Sequence, residues 1–295
     1  MLKTLGNILT QGWPPKPVFT EQQLEDLSGK VVIVTGGYSG VGYQLSKLLY
    51  AKNAVVYIAG RRQDVGQDAI ESLRAAHPDS RGRLEFLQLD LADLPSIKAS
   101  ASAFLGKETR LDNLWNNAGL MRLPKDSPTK SKQDHELLLA VNCLGPYLFT
   151  KLLHPILVST ARSSPVGSVR VVWTGSLMIP LKAPTGGMDI DNLDYKKEWP
   201  DVNVRYAVSK TGNFFLCNEW AKLDGENGIL HLAKLFAGLS PDVKPEDSGR
   251  YVIPWGRFGF TRADIDEALT PKKGEETSTA GKFFEYCENE TKPYV

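Results

Sequence analysis

Thr35-Gly36-Gly37-Tyr38-Ser39-Gly40-Val41-Gly42 is the stretch on which the reading of this chain turns. It follows a β-branched run at 31–34 and leads into residues 41–50, where apolar side chains recur at helical spacing. Residues 54–59 form the next strand-like run, so the glycines sit inside a βαβ unit. Gly36, Gly40 and Gly42 lack a Cβ, so a phosphate can approach the backbone, and the helix start offers unpaired N–H groups at a positive dipole end. A tight βα turn that merely needs positive φ is the competing reading. The strand before and the helix after favour dinucleotide binding, with Gly36, Ser39, Gly40, Val41 and Gly42 as the cradle.

Outward from this unit the alternation continues. Helical patterns at 69–76, 96–105 and 136–157 separate strand-like runs at 84–89, 111–115 and 169–173. This predicts an α/β fold of Rossmann type: a doubly wound parallel sheet with right-handed crossovers. The 295 residues hold no repeat or Gly/Ser linker, so one domain is expected over 29–256, between an N-terminal arm (1–28) and a C-terminal tail (257–295). Leu2, Leu5, Ile8, Leu9 and Trp13 could form one apolar stripe on the arm; docking on the domain is expected over weak membrane-surface association.

Composition narrows the function. Lys and Arg number 35 against 34 Asp and Glu, a balance that gives no field for nucleic acid. Cys143, Cys217 and Cys287 have no CxxC spacing, which suits a reducing compartment. No run of apolar residues reaches the length of a membrane span, and residues 1–13 lack a secretory pattern, so a cytoplasmic protein is expected. The four histidines share no metal-ligand spacing, and no metal is expected.

The second strand ends in Ala59-Gly60-Arg61-Arg62. A carboxylate there would hold the ribose 2′-OH of NAD, whereas a 2′-phosphate calls for a guanidinium. Gly60 is not acidic and Arg61 and Arg62 follow, which favours NADP(H); solvated loop arginines are the bland alternative. Asp90 closes the third strand and either accepts from an adenine amino group or caps the next helix.

Tyr206 and Lys210 are four apart and share a helical face. A free tyrosine has a pKa of about 10, so it is a poor base at neutral pH; bringing it near 7 takes about 4 kcal/mol, which a close ammonium and a nicotinamide's positive charge could supply together. In carbonyl reduction such a phenol protonates the oxygen as hydride arrives; in alcohol oxidation the phenolate removes that proton. Ser176, at the end of the fifth strand, can hold the substrate oxygen in line with Tyr206 or be an ordinary turn serine. Leu120, Met121, Met178, Ile179, Met188 and Trp199 either line a substrate mouth or bury as ordinary loop residues, and only a lipophilic or aromatic substrate is inferred.

Taken in order, the loop at 35–42, Asn116-Asn117-Ala118-Gly119, Asn142, Ser176 and Tyr206-Ala207-Val208-Ser209-Lys210 resemble the short-chain dehydrogenase/reductase superfamily, over about residues 29–228. The long segment before Tyr206, with Gly187-Met188-Asp189-Ile190-Asp191-Asn192-Leu193, is similar to the retinol-dehydrogenase-like and fungal secondary-metabolite members. The resemblance implies a single Rossmann-type domain, NADP(H) as cofactor, Ser176, Tyr206 and Lys210 as catalytic residues, and Asn142 holding a water that relays protons to Lys210. It implies that Asn116 and Asn117 fix loop and strand geometry against the cofactor, and that homodimers or homotetramers are usual.

Relatives of this kind carry a sixth strand ending in a Pro-Gly turn, then a substrate lid and a crossover helix before the last strand. Here Ile229-Leu230-His231-Leu232 runs directly into Ala233-Lys234-Leu235-Phe236-Ala237-Gly238-Leu239-Ser240-Pro241, which resembles the end of that helix, and residues 248–255 resemble the final strand. The crossover is therefore expected to be shortened, with the turn and lid missing. Either activity is reduced or residues 256–295 fold back as a substitute. The leading expectation is an NADP-dependent oxidoreductase interconverting a carbonyl and a secondary alcohol on a small lipophilic or secondary-metabolite substrate. The alternative is a catalytically impaired NADP-binding protein that serves as a binding or regulatory module. A nucleotide-sugar epimerase is disfavoured by the glycine spacing.

Overall fold

The computed structural model describes residues 16–17, 20–122, 129–234, 243–253, 257–259 and 261–295. Its strands are β1 (Val31–Thr35), β2 (Val55–Gly60), β3 (Arg83–Gln88), β4 (Asn113–Asn116), β5 (Arg170–Thr174), β6 (Leu230–Lys234), β7 (Tyr251–Ile253) and β8 (Arg257–Phe258). They lie in one sheet in the order β3-β2-β1-β4-β5-β6-β7-β8. β1 to β7 are parallel, and β8 returns antiparallel beside β7. Every residue of β1 is buried, as expected of a parallel strand covered on both faces.

The helices that position the site are α1 (Gly40–Ala51), α2 (Gln63–Ala76), α3 (Leu94–Leu105), α4 (Leu137–Arg162), α5 (Met178–Lys182) and α6 (Val202–Leu223). α4 contains one π-helical turn, Ala140–Leu144, which carries Asn142. α4 is long and apolar enough to cross a membrane, but 78% of its most apolar window is buried, so its apolar residues are used by the core. α4 and α6 are locked together where α6 begins: Arg205 Nη1 donates to Glu136 Oε1 at 2.5 Å, both side chains are buried, and the guanidinium stacks on Trp199 at 4.4 Å. The residue after Arg205 is Tyr206.

The structure corrects the expectation for the region after α6. Ala233 and Lys234 extend β6 instead of starting a helix, because they continue the parallel register with Trp173 and Thr174. The rest of the expected helix end, residues 235–241, lies outside the described residues, as do the apolar stripe of the arm and residues 254–255 of the last strand. Between residue 243 and β7 the backbone forms a 3-10 turn, Pro245–Asp247.

Among the described residues after β8, two helices follow, α7 (Ala263–Glu267) and α8 (Thr279–Thr291). α8 packs on α4 and α6: Phe284 meets the rings of Tyr147 and Trp220 edge-on at 5.2 and 5.7 Å, and Glu288 accepts from Tyr147 and Lys151. Arg262, at the head of α7, donates to Ala183 O and Pro184 O just after α5.

Candidate active site

The strand order reverses between β1 and β4, and the carboxyl ends of these strands open a cleft of about 470 Å³. This is the crevice where open parallel sheets bind ligands, and the volume is ordinary for such a site. The residues that line it among those described run from Thr35 to Lys210. Described residues of 257–295 contribute nothing to the lining, so the expected substitute cover from the tail is not formed by them; they pack on α4, α6 and the loop after α5 instead.

On the β1 side the loop is tight for a steric reason. Gly36 has φ +66°, and a Cβ on Gly42 would stand 2.4 Å from Gly36 O. Thr35 holds the loop against β4: its Oγ1 donates to Trp115 O at 3.1 Å and accepts from Asn117 N and Ala118 N, each at 2.9 Å. Asn117 Nδ2 donates to Thr35 O at 2.9 Å, while Asn116 Nδ2 turns into the core to Thr150 Oγ1. Ser39 is the N-cap of α1 and makes no side-chain cap bond, and Ser39, Val41 and Gly42 all line the cleft. The helix start thus has first-turn amides with no side-chain cap beside the cleft, in a loop packed so closely on itself and on Asn117 that position 42 admits no side chain, which fits an anionic dinucleotide phosphate. Gly40 has φ +54° and serves the turn without lining the cleft.

At the end of β2, Gly60 and Arg61 line the cleft. Arg62 does not; its guanidinium stacks on the ring of Tyr38 at 5.5 Å. The same ring explains Gly60, because a Cβ there would meet Tyr38 Cε1 at 2.1 Å. Asp90 lines the cleft and accepts from Ala92 N at 3.0 Å, so it shapes the turn after β3 as well.

Ser176, Tyr206 and Lys210 meet at the far end of the cleft. Ser176 Oγ accepts from Met178 N at 3.1 Å, and Ser176 faces the same cleft as the Tyr206 phenol. Burial pushes that phenol above its usual range, and the Ser176 hydroxyl pulls it back. Lys210 is buried, donates from Nζ to Thr174 O at 3.0 Å, and stands 5.8 Å from the Tyr206 ring centre. Desolvation brings its ammonium down to about 8.

Asn142 does not line the cleft. Its Oδ1 accepts from Leu120 N at 2.8 Å, and its Nδ2 donates to Leu120 O and Ser209 Oγ at 2.9 and 2.8 Å. A Cβ on Gly119 would be 3.0 Å from Asn142 Oδ1 and 3.1 Å from Lys210 Nζ, so both atoms crowd the same glycine.

Of the residues weighed for the mouth, Leu120 and Met121 line the cleft, joined by Leu137 and Val141. Ile179 and Met188 are in the core, and Trp199 packs under Arg205. Sequence reasoning missed Thr35, Tyr38 and Thr174. Tyr38 stands within the glycine loop, and its bulk beside Gly60 was the available signal; Thr35 and Thr174 act through atoms that a composition pattern does not mark.

Four likenesses bear on this chain. The family model described as short chain dehydrogenase matches residues 30–177. A short-chain dehydrogenase/reductase of Phomopsis amygdali is 42% identical over 332 aligned positions, covering 99% of this chain and 98% of the relative. That alignment is longer than this chain's 295 residues, so the relative carries positions that this chain lacks. Among solved structures, an uncharacterised protein of Mycobacterium paratuberculosis shares the fold at TM-score 0.70 with 21% identity, covering 93% of this chain and 97% of the other. An NADPH-bound carbonyl reductase from chicken fatty liver does so at TM-score 0.61 with 19% identity, covering 82% and 97%. A glycine cradle at the switch of a parallel sheet, a Ser, Tyr and Lys gathered at its far end, and these likenesses have one reading: the chain belongs to the short-chain dehydrogenase/reductase family of oxidoreductases.

Proposed function

We propose that the protein is an NADP(H)-dependent oxidoreductase that reduces a carbonyl of a small lipophilic, secondary-metabolite-type molecule to the secondary alcohol. The observation that carries this reading is the convergence of Ser176, a half-buried Tyr206 and a buried Lys210 on one cleft, with Lys210 Nζ 5.8 Å from the Tyr206 ring centre. The cradle at Gly36, Ser39, Val41 and Gly42 would hold the pyrophosphate, Asn117 its flank, Asp90 the adenine and Arg61 the 2′-phosphate. Gly60 supports NADP over NAD because it offers no carboxylate to a ribose, and Arg62, fixed on Tyr38, adds positive charge beside Arg61. When bound, the cofactor supplies the hydride.

The chain's own residues handle the oxygen. Ser176 Oγ and the Tyr206 phenol form a pair of donors on one carbonyl oxygen, which polarises the carbon. Burial keeps Tyr206 protonated, the form that reduction needs, and the phenol gives its proton as charge develops on the oxygen. The Lys210 ammonium favours the phenolate left behind. Asn142 Oδ1 accepts one hydrogen bond of the two it can take, leaving a lone pair on which a water serving Lys210 would hang. Leu120, Met121, Leu137 and Val141 give the mouth an apolar wall, which supports a lipophilic substrate.

Tyr206→Phe is the test. NADPH binding by fluorescence titration is expected to stay nearly intact, while turnover on a carbonyl panel, read by NADPH absorbance, falls by about 100-fold or more. Unchanged turnover overturns the catalytic assignment. NADPH binding without turnover by the wild-type chain favours the impaired binding module, the reading that the short crossover supports.

A further inference from the structure

We infer that Tyr251, on the strand that follows the shortened crossover, is a positioning residue for the Ser176–Tyr206 pair. The inference rests on the catalytic reading of Tyr206 given above. Tyr251 opens β7 and is 3% exposed. Its hydroxyl donates to Ser176 O at 3.2 Å, reaching back across β6 to the loop at the end of β5. The ring is held edge-on by Phe214 at 5.9 Å, and Phe214 lies one helical turn beyond Lys210 on α6. A buried phenol must find an acceptor, and the acceptor it has found is the backbone of the candidate catalytic serine.

Ser176 is thereby restrained by three hydrogen bonds on two of its atoms. Its carbonyl accepts from Tyr251 and from Ile179 N at 3.1 Å, and its Oγ accepts from Met178 N in the cleft that Tyr206 also lines. The Oγ direction follows from the backbone orientation at 176, so a loosened carbonyl turns the hydroxyl away from Tyr206. Ile179 N still satisfies that carbonyl when the Tyr251 hydroxyl is removed, so the loop keeps its fold and loses one of two restraints. The ionisable groups facing the pair are Lys210 from α6 and Tyr251 from β7; Tyr251 is itself held protonated by burial, so it acts as a donor and not as a charge. The residues on either side of the shortened crossover are in this way coupled to the reacting end of the cleft.

Tyr251→Phe tests this in the full chain by two readouts. The first is kcat, expected to fall about threefold to tenfold, the size of one hydrogen bond, with KM for NADPH unchanged. The second is the titration of Tyr206, followed by NMR of isotope-labelled tyrosine in the cofactor-free protein and assigned with Tyr206→Phe. Losing the Ser176 hydroxyl from the phenolate moves that titration to higher pH, and the alkaline limb of the reductive pH profile moves with it. Phe214→Leu loosens the ring but keeps the hydroxyl, so it is expected to shift the titration the same way by less; it also serves if Tyr251→Phe does not fold. A lowered Tm with an unmoved Tyr206 titration and unmoved kcat overturns the inference. A wild-type chain without turnover overturns the catalytic reading alone, since the titration still reports whether Tyr251 positions the pair.

Discussion

The sheet has a rigid half and an economical half. From β3 to β5 neighbouring strands run side by side over most of their length, as β1 does with β2 from Val31 to Thr35. β7 meets β6 only at Ala233–Tyr251 and Lys234–Val252, and meets β8 only at Val252–Phe258 and Ile253–Arg257. The first half builds the cradle and leaves no free space at Gly36 and Gly42. The second half holds its place by side-chain anchors: Tyr251 on Ser176, and a polar network at the foot of β6. The difference teaches that the cofactor side depends on backbone close approach, while the substrate side depends on a few polar contacts.

Asp224 tests that division most severely. It follows α6, has a buried carboxylate, and accepts from His231 Nε2 and His154 Nε2 at 2.7 Å each and from Asn227 Nδ2 at 2.9 Å. Trp173 Nε1 approaches His231 Nδ1 at 3.4 Å, which ties β5 to β6 through the same ring. Asp224→Ala leaves His231 buried without its acceptor and is expected to cost about 3 kcal/mol in a urea melt. Hydrogen exchange should rise first at β6 and β7, with β1 and β2 still protected. Equal loosening of both halves would break the comparison.

Gly42→Ala probes the other side. The added methyl would sit 2.4 Å from Gly36 O and 2.6 Å from Asn117 Nδ2, and the first of these is backbone that cannot swing away. A cost of about 1–3 kcal/mol is expected from such overpacking, together with loss of NADPH binding in a titration. Retained binding would mean that the cradle has more slack than its geometry allows.

The rigid half was legible in the sequence and the economical half was not, for one physical reason. A parallel strand covered on both faces, such as β1, must be apolar at every position, and a helix after a glycine loop repeats at 3.6, so both leave a pattern. Ser176, Tyr206 and Lys210 were marked by their residue types and order. The π-turn at Ala140–Leu144, the lock of Arg205 on Glu136, the reach of Tyr251 to Ser176 and the antiparallel return of β8 are set by contacts between residues far apart in the chain, which no local period encodes. Ala233 and Lys234 resemble the end of a crossover helix by family pattern alone; pairing with Trp173 and Thr174, which no local pattern encodes, puts them in β6.

Arg61 and Arg62 sharpen the comparison where the cofactor's far end would lie. Arg61 lines the cleft, whereas Arg62 is stacked on Tyr38, so the two arginines are not equivalent. Arg61→Ala is expected to weaken NADPH about tenfold, the size of a charge-assisted hydrogen bond, and to leave NADH nearly unchanged. Arg62→Ala should have a smaller effect. Equal losses for NADPH and NADH from Arg61→Ala would remove the 2′-phosphate role.

The smallest effect expected is a pH slope carried by the network at β6. Burial holds His231 below its usual range, and the Trp173 N–H directed at Nδ1 opposes protonation there, although Asp224 pulls the other way. A histidine depressed in the fold binds its proton more readily once unfolded, so its stabilising contribution is complete above about pH 6.5 and is lost as pH falls below that value. The depressed carboxyl of Asp224 acts in the same direction in a separate, lower window, below about pH 4. Unfolding free energies from urea melts at about pH 7.5 and about pH 5.5 should therefore differ by no more than about 1.4 kcal/mol per pH unit for one group. His231→Gln keeps a donor for Asp224 without a titrating ring, and it should flatten that slope. Half-buried His135, also depressed by burial, adds to the slope in the same direction. An unchanged slope in His231→Gln would place the pH sensitivity outside the β5–β6 anchor, and the economical half would then owe its stability to the docking of α8 on α4 and α6 instead.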